Sequence, residues 1–122
     1  MEVQGESLEA VFTDALKGML VFMRPRVRPR ARKFKRHIAT ASGDTTSLLV
    51  DFLNSALALA QINKETYEHI LFVNITETSV SAVVVGVGVD LFEEDIKAVT
   101  YHEASVRKDE SGKWHARIIF DI

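Results

Sequence analysis

The chain contains no cysteine, two prolines and a single tryptophan in 122 residues. Without thiols it has no disulfide framework, no thiolate metal site and no cysteine nucleophile. The N-terminus has no basic region followed by an apolar one. No apolar run approaches the roughly 18 residues of a membrane span, so neither secretion nor membrane insertion is expected. The expected compartment is the cytoplasm. G-x-S-x-G, a P-loop and a helical H-E-x-x-H are also missing, which removes the familiar routes to hydrolysis and phosphoryl transfer. Acidic residues are absent from one long stretch: eight of the fifteen basic residues fall between Arg24 and Arg36, with no acid among them.

The 47% hydrophobic content, in a chain of single-domain length, suffices for one core without metal or disulfide support. Residues 1–122 therefore read as one domain, with no linker or repeat. The net charge of −2 conceals a basic segment on an otherwise acidic body. Such a segment suits an acidic surface or a nucleic-acid backbone.

Leu8, Val11, Phe12, Ala15, Leu16 and Met19 recur at helical spacing, with Ser7 as N-cap and Glu9 adding negative charge to the first turn. Arg24-Pro25 stops this helix near Met23. From Ala31 to Ala41 the pattern is extended, with Phe34, Arg36, Ile38 and Thr40 on one face. The charged first half predicts an edge strand or projecting hairpin. Ser42-Gly43-Asp44 opens a second helix whose stripe runs from Leu48 to Ala60 and which ends near Gln61. After a polar connection come strands over 69–76 and 80–89, then a pair over 98–107 and 113–121. The run of valines on both faces of 80–89 predicts a central strand covered on both sides. The order helix, strand, helix, four strands is α+β, two helices on a largely antiparallel sheet.

The four histidines lack the helical spacing of a zinc site. His102 and His115, expected to face each other on the last hairpin, are the least implausible ligand pair. Gly86-Val87-Gly88 is flanked by strand residues and predicts a bulge or close backbone approach, not a dinucleotide site. The basic segment has two readings. Arg24, Arg26, Arg28, Arg30, Arg32, Lys33, Lys35 and Arg36 could neutralise tRNA phosphates, or they could form a solvated loop that protects an edge strand from aggregation. Only Phe34 is interleaved for base stacking.

The segment Ile96-Lys97-Ala98-Val99-Thr100-Tyr101-His102, followed by Ile118-Ile119-Phe120-Asp121-Ile122, resembles the paired C-terminal signature of the archease family. Gly5 to Phe12 is similar to that family's first-helix opening, and Asp44 to Leu53 to its second helix. The resemblance implies a non-enzymatic partner of the RtcB-type RNA ligase in tRNA splicing and RNA repair, promoting guanylylation and turnover. It also implies a chaperone-like role toward an RNA methyltransferase. The cofactor it implies is a divalent cation, Ca²⁺ first, with Mg²⁺ or Mn²⁺ as alternatives. Asp121 and the carboxylate of Ile122 match the C-terminal acidic position, and two anions on adjacent residues suit a hard cation. Asp44 is expected to share that site or to act as a simple N-cap, Glu93, Glu94 and Asp95 to approach the same end, and Lys97 and His102 to meet the partner. The family's D-H-T-A-D-type motif is expected just upstream of Met1. A missing first strand would leave a sheet edge open to homo-oligomerisation.

Overall fold

The computed structural model describes residues 1–122. The elements run β1 (Glu2–Gly5), α1 (Leu8–Phe22), β2 (Pro25–Val27), β3 (Lys33–Ala41), α2 (Thr45–Asn63), β4 (Glu65–Ile75), β5 (Ser79–Phe92), β6 (Ala98–Lys108) and β7 (Trp114–Asp121). All strand pairings are antiparallel. The α+β expectation holds, although the strands divide into two sheets. One is β1-β7-β6; in the other β5 is the hub for β2, β3 and β4.

Both helices begin where a side chain can accept the first free amides. Ser7 accepts from the Ala10 N–H at 3.1 Å, and Asp44 from that of Ser47 at 2.7 Å. Lys64, in the left-handed region at φ 53°, ends α2. Two contacts set the helices parallel. Their starts meet at Glu77, whose carbonyl accepts from Thr45 Oγ1 and which lines one groove with Ser7 and Leu8. Their ends meet residues 89–96: Glu94 N–H donates to Met23 O, and Val89 N–H to Lys64 O.

The apolar stripes of both helices and the inward faces of both sheets merge into one cluster of 24 buried residues. At its centre the rings of Phe12 and Phe52 lie 5.4 Å apart. By length and composition α2 could cross a membrane, which the expectation of no long apolar run overlooked. In this fold its stripe from Leu48 to Ala60 is core.

Three expectations need correction. Strand β1 is present and pairs Glu2–Gly5 with Trp114–Arg117, so the edge of β7 is covered there. Strand β2, unforeseen, pairs Pro25–Val27 with Val89–Phe92. β5 is central, but its second face is covered only towards its end, at Val87 and Val89. Val80, Ala82 and Val84 are buried beneath the helices, whereas Val83 and Val85 are half-buried and neighbouring Leu71 and Val73 are 59% and 70% exposed. By contrast β3 is, as expected, an edge strand with β5 as its only neighbour. The glycine reading also holds, because β4 bulges between Tyr67 and His69, directly opposite Gly86 and Val85.

Candidate functional site: the acidic end of the sheets

The last strand alternates as its sequence predicts. Ala116 and Ile118 are buried, while Arg117 and Asp121 are exposed on the opposite face. Asp121 pairs with Ala98, and its carbonyl accepts from Lys97 N–H at 2.7 Å. That bond brings the loop preceding β6 alongside the chain end. Gln61 of α2 fixes the same loop, donating through Nε2 to Ile96 O at 2.8 Å and to Asp95 Oδ1 at 3.2 Å. The ring of Phe22, at the end of α1, lies 5.9 Å from that of Phe120.

Glu94, Asp95, Lys97, Asp121 and Ile122 are thus gathered, all exposed, at the end where both helices finish. Glu93 joins them but is tied to Arg26 at 2.6 Å. None of Glu94, Asp95 and Asp121 is in an ion pair. No three His, Asp or Glu side chains in the molecule converge into a cluster that could ligate a metal ion.

Asp44 does not reach this end. The Val106 N–H donates to Thr46 Oγ1, Asn54 holds Val99, and Gln61 holds Ile96, so α2 runs against β6 from Val106 down to Ile96. At 1.5 Å per residue, Asp44 lies about 15 Å along the axis from the level of Val99, with Asp121 beyond. Ligands to a hard cation sit about 2.5 Å from it. The shared site is therefore ruled out, and Asp44 acts as the N-cap of α2.

The same contacts explain the 96–102 motif. Along its outer edge β6 has α2 for a neighbour in place of a strand, and polar side chains of the helix satisfy its backbone. Asn54 does so twice, donating to Val99 O and accepting from Val99 N–H, both at 2.8 Å. Ile96 and Val99 are buried, and the Tyr101 hydroxyl donates to Asp51, which also accepts from Ser42 Oγ. Sequence reading missed this role, although Thr46, Asn54 and Gln61, spaced eight and seven apart and so on one face of the helix, are its signal. Asn54→Ala leaves the amide and carbonyl of Val99 without partners. The expected cost is about 2 kcal/mol, read as a lower urea midpoint at unchanged slope.

His102 and His115 do not face each other. β6 bulges between Thr100 and Ser105, with Glu103 at φ 56°, and the partner of His115 across the hairpin is Arg107. His102 is exposed on that bulge, away from the acidic end. His115 Nε2 bonds Asp109 Oδ2 at 2.7 Å. Asp109 also accepts from the Ser111 hydroxyl and from the amides of Ser111 and Lys113, which together hold its carboxyl far below the usual range.

The basic segment is largely built into the fold. Arg26 pairs with Glu93, Arg28 with Asp90, Lys33 with Glu68 and Arg36 with Glu65. Arg24, Arg30, Arg32 and Lys35 have no ion pair. The Arg36 pair is bidentate, Nε to Oε1 at 2.9 Å and Nη2 to Oε2 at 2.7 Å. Glu65, expected in a polar connection, is 1% exposed. The pair spans β5 where Gly86 and Gly88 carry no side chain. Burial alone would raise the Glu65 carboxyl. Its hydrogen bonds from Arg36 and from the Tyr67 hydroxyl outweigh burial and hold it below the ordinary glutamate value. Burial and the same carboxylate push the Tyr67 phenol up.

The archease protein family matches the chain over residues 1–122. The archease of Methanosarcina barkeri is 31% identical over 129 aligned positions, taking in 99% of this chain and 87% of that protein. The archease of Pyrococcus abyssi is 27% identical, over 97% and 87% of the two chains. Two solved structures share the fold. One is the crystal structure of an archease and possible chaperone from Thermotoga maritima, with a TM-score of 0.73 and 17% identity over all of this chain and 88% of that one. The other is the solution structure of a Methanobacterium thermoautotrophicum protein, with a TM-score of 0.68 and 24% identity over 99% and 89%. Matched along its whole length, the chain belongs to the archease family.

Proposed function

We propose that this protein is a cytoplasmic accessory factor that activates an RtcB-type RNA ligase, promoting guanylylation and turnover while performing no covalent chemistry itself. Family membership supports the reading. The observation that carries it is the acidic end, where Glu94, Asp95 and Asp121 are exposed together with no cationic partner. An exposed carboxylate of this kind can accept a hydrogen bond from the ring N–H of the ligase's reactive histidine. That bond would set which nitrogen faces the incoming phosphate. Lys97 lies beside Asp121 and would meet the partner at the same contact.

A divalent cation, Ca²⁺ before Mg²⁺ or Mn²⁺, is the cofactor this reading implies. Ca²⁺ takes six to eight oxygens. With Asp44 at the opposite end and no converging triad of ligands, the residues of this chain do not fit a complete site. The action proposed here therefore rests on fixed charge.

Asp121→Asn keeps the side chain's shape and leaves the backbone bond to Lys97 intact, so the fold is expected to persist. Ligase guanylylation in its presence is expected to fall about tenfold, equivalent to about 1.4 kcal/mol of lost stabilisation. Stimulation equal to that of the unaltered protein would sink the proposal. A second reading, tRNA binding, is favoured by the four basic residues without ion pairs, Arg24, Arg30, Arg32 and Lys35. At one phosphate each they limit that contact to about four phosphates.

A further inference from the structure

The two sheet edges beside α2 are treated differently. The edge of β6 is closed by Thr46, Asn54 and Gln61, whereas β3, on the opposite flank, has a strand neighbour on one side only. Alternate N–H and C=O groups of Lys33–Ala41 therefore point outward. Alongside runs a groove of about 320 Å³ lined by His37, Ile38 and Ala39 of β3 and by Ser55, Ala58, Leu59 and Ile62 of α2. It is mostly apolar, and Ile62 stands 79% exposed.

An open strand edge beside an apolar helix face is the arrangement that accepts an added strand. Backbone hydrogen bonds supply affinity, and pockets for alternate side chains supply selectivity. The charge around the groove narrows the occupant. No acid lies between Met23 and Asp44, and the first half of β3 carries Lys33, Lys35 and Arg36, preceded by Arg30 and Arg32. A second copy of β3 would bring no acid to meet these cations. A nucleic-acid strand would find no phenylalanine, tyrosine or tryptophan in the groove on which to stack a base, and the one ring there, His37, is tied through Nε2 to Ser81 Oγ at 2.8 Å.

We propose that this groove binds an extended segment of a partner protein as an additional strand on β3. Its apolar side chains, at every second position, enter between Ile38 and Ile62, and its acidic side chains fall on the opposite face beside Lys33 and Lys35, of which Lys35 has no ion pair. The proposal does not depend on the acidic end, which faces the other flank of α2, so loss of ligase stimulation by Asp121→Asn leaves it untouched.

The test uses a fluorescein-labelled eight-residue peptide of alternating isoleucine and glutamate, with a peptide of alternating isoleucine and lysine as its counterpart. Anisotropy is expected to give saturable binding of the acidic peptide, at least about tenfold tighter than its counterpart. Ile62→Asp and Lys35→Glu, both at exposed positions, should each weaken it about tenfold. Amide hydrogen exchange across 35–41 should slow on binding. Absence of binding by the acidic peptide, equal binding of the two peptides, or affinity indifferent to both substitutions overturns the proposal. So does exchange in β3 that slows with protein concentration alone, which would assign the edge to a second copy. Displacement of the peptide by decauridine would assign it to nucleic acid.

Discussion

Gly86→Ala is expected to destabilise the protein by about 3 kcal/mol, the upper range for overpacking in a filled interior. A Cβ built there falls 1.9 Å from the carbonyl oxygen of Thr66 and 2.8 Å from the Cα of Tyr67. These are backbone atoms, so no rotamer change relieves the clash and β4 itself must move. The bulge that brings β4 so close also places Glu65 and Tyr67 for their bonds with each other and with Arg36, so the strain spreads into the buried pair. Gly43 supplies the control: its added Cβ meets nothing within 4 Å, and Gly43→Ala should stay within about 0.5 kcal/mol of the parent. Urea unfolding, with the midpoint shifted and the slope constant, is the measurement. Equal midpoints for the two variants would contradict the close approach.

The second large effect concerns Glu65. Arg36→Leu leaves a carboxylate with 2% of its side chain exposed and only the Tyr67 hydroxyl to stabilise it. Breaking a buried pair from one side costs about 3–5 kcal/mol. Because 34% of the Arg36 side chain is exposed and water screens the pair, about 2–3 kcal/mol is expected here. Adding Glu65→Leu should recover most of it, since two apolar residues leave no uncompensated charge. The two proteins should also respond to acid in opposite directions. In the parent the folded carboxyl titrates below its unfolded value. Its contribution is thus complete above the unfolded pKa of about 4.3 and is lost as pH falls through the folded value. In the Arg36→Leu variant burial raises the carboxyl above its unfolded value. Lowering the pH through that raised value protonates Glu65 in the folded state, and the deficit relative to the parent narrows. Thermal midpoints for both proteins from pH 7 to pH 3 test this, and parallel curves would exclude an electrostatic role for the pair.

The sequence reading succeeded where periodicity carries the signal. Both helices stand where apolar residues recur at three and four, with Ser7 and Asp44 as caps. Phe34 to Thr40 alternate on β3, and the charged half of that strand marks an edge. It failed where an element is defined only by its partner. Pro25–Val27 has no pattern of its own and is a strand because residues 89–92 lie beside it. Glu65 follows Asn63 and Lys64, and a polar run reads as a connection. What buries it is the pair with Arg36 from the far side of β5, which no local pattern announces. The candidate site divided along the same line. Asp121 could be placed by alternation, and its neighbours 94–97 by the motif they adjoin. The resemblance of Asp44 to the family's second-helix acid suggests a shared site, but a sequence does not give the direction in which α2 crosses β6, and that direction puts the two acids at opposite ends.

The parallel course of the helices gives the molecule an electrical polarity beyond its side chains. Each helix carries roughly half a negative elementary charge at its C-terminus, and neither has a basic residue in its last turn to offset it. Both C-termini finish at the end that holds Glu94, Asp95 and Asp121, while both positive N-termini point away. The helix ends therefore add negative potential to that of the carboxylates there. Such a field turns an approaching cationic surface into register before contact, an effect on association rate that fades as ionic strength shortens the Debye length below about 10 Å.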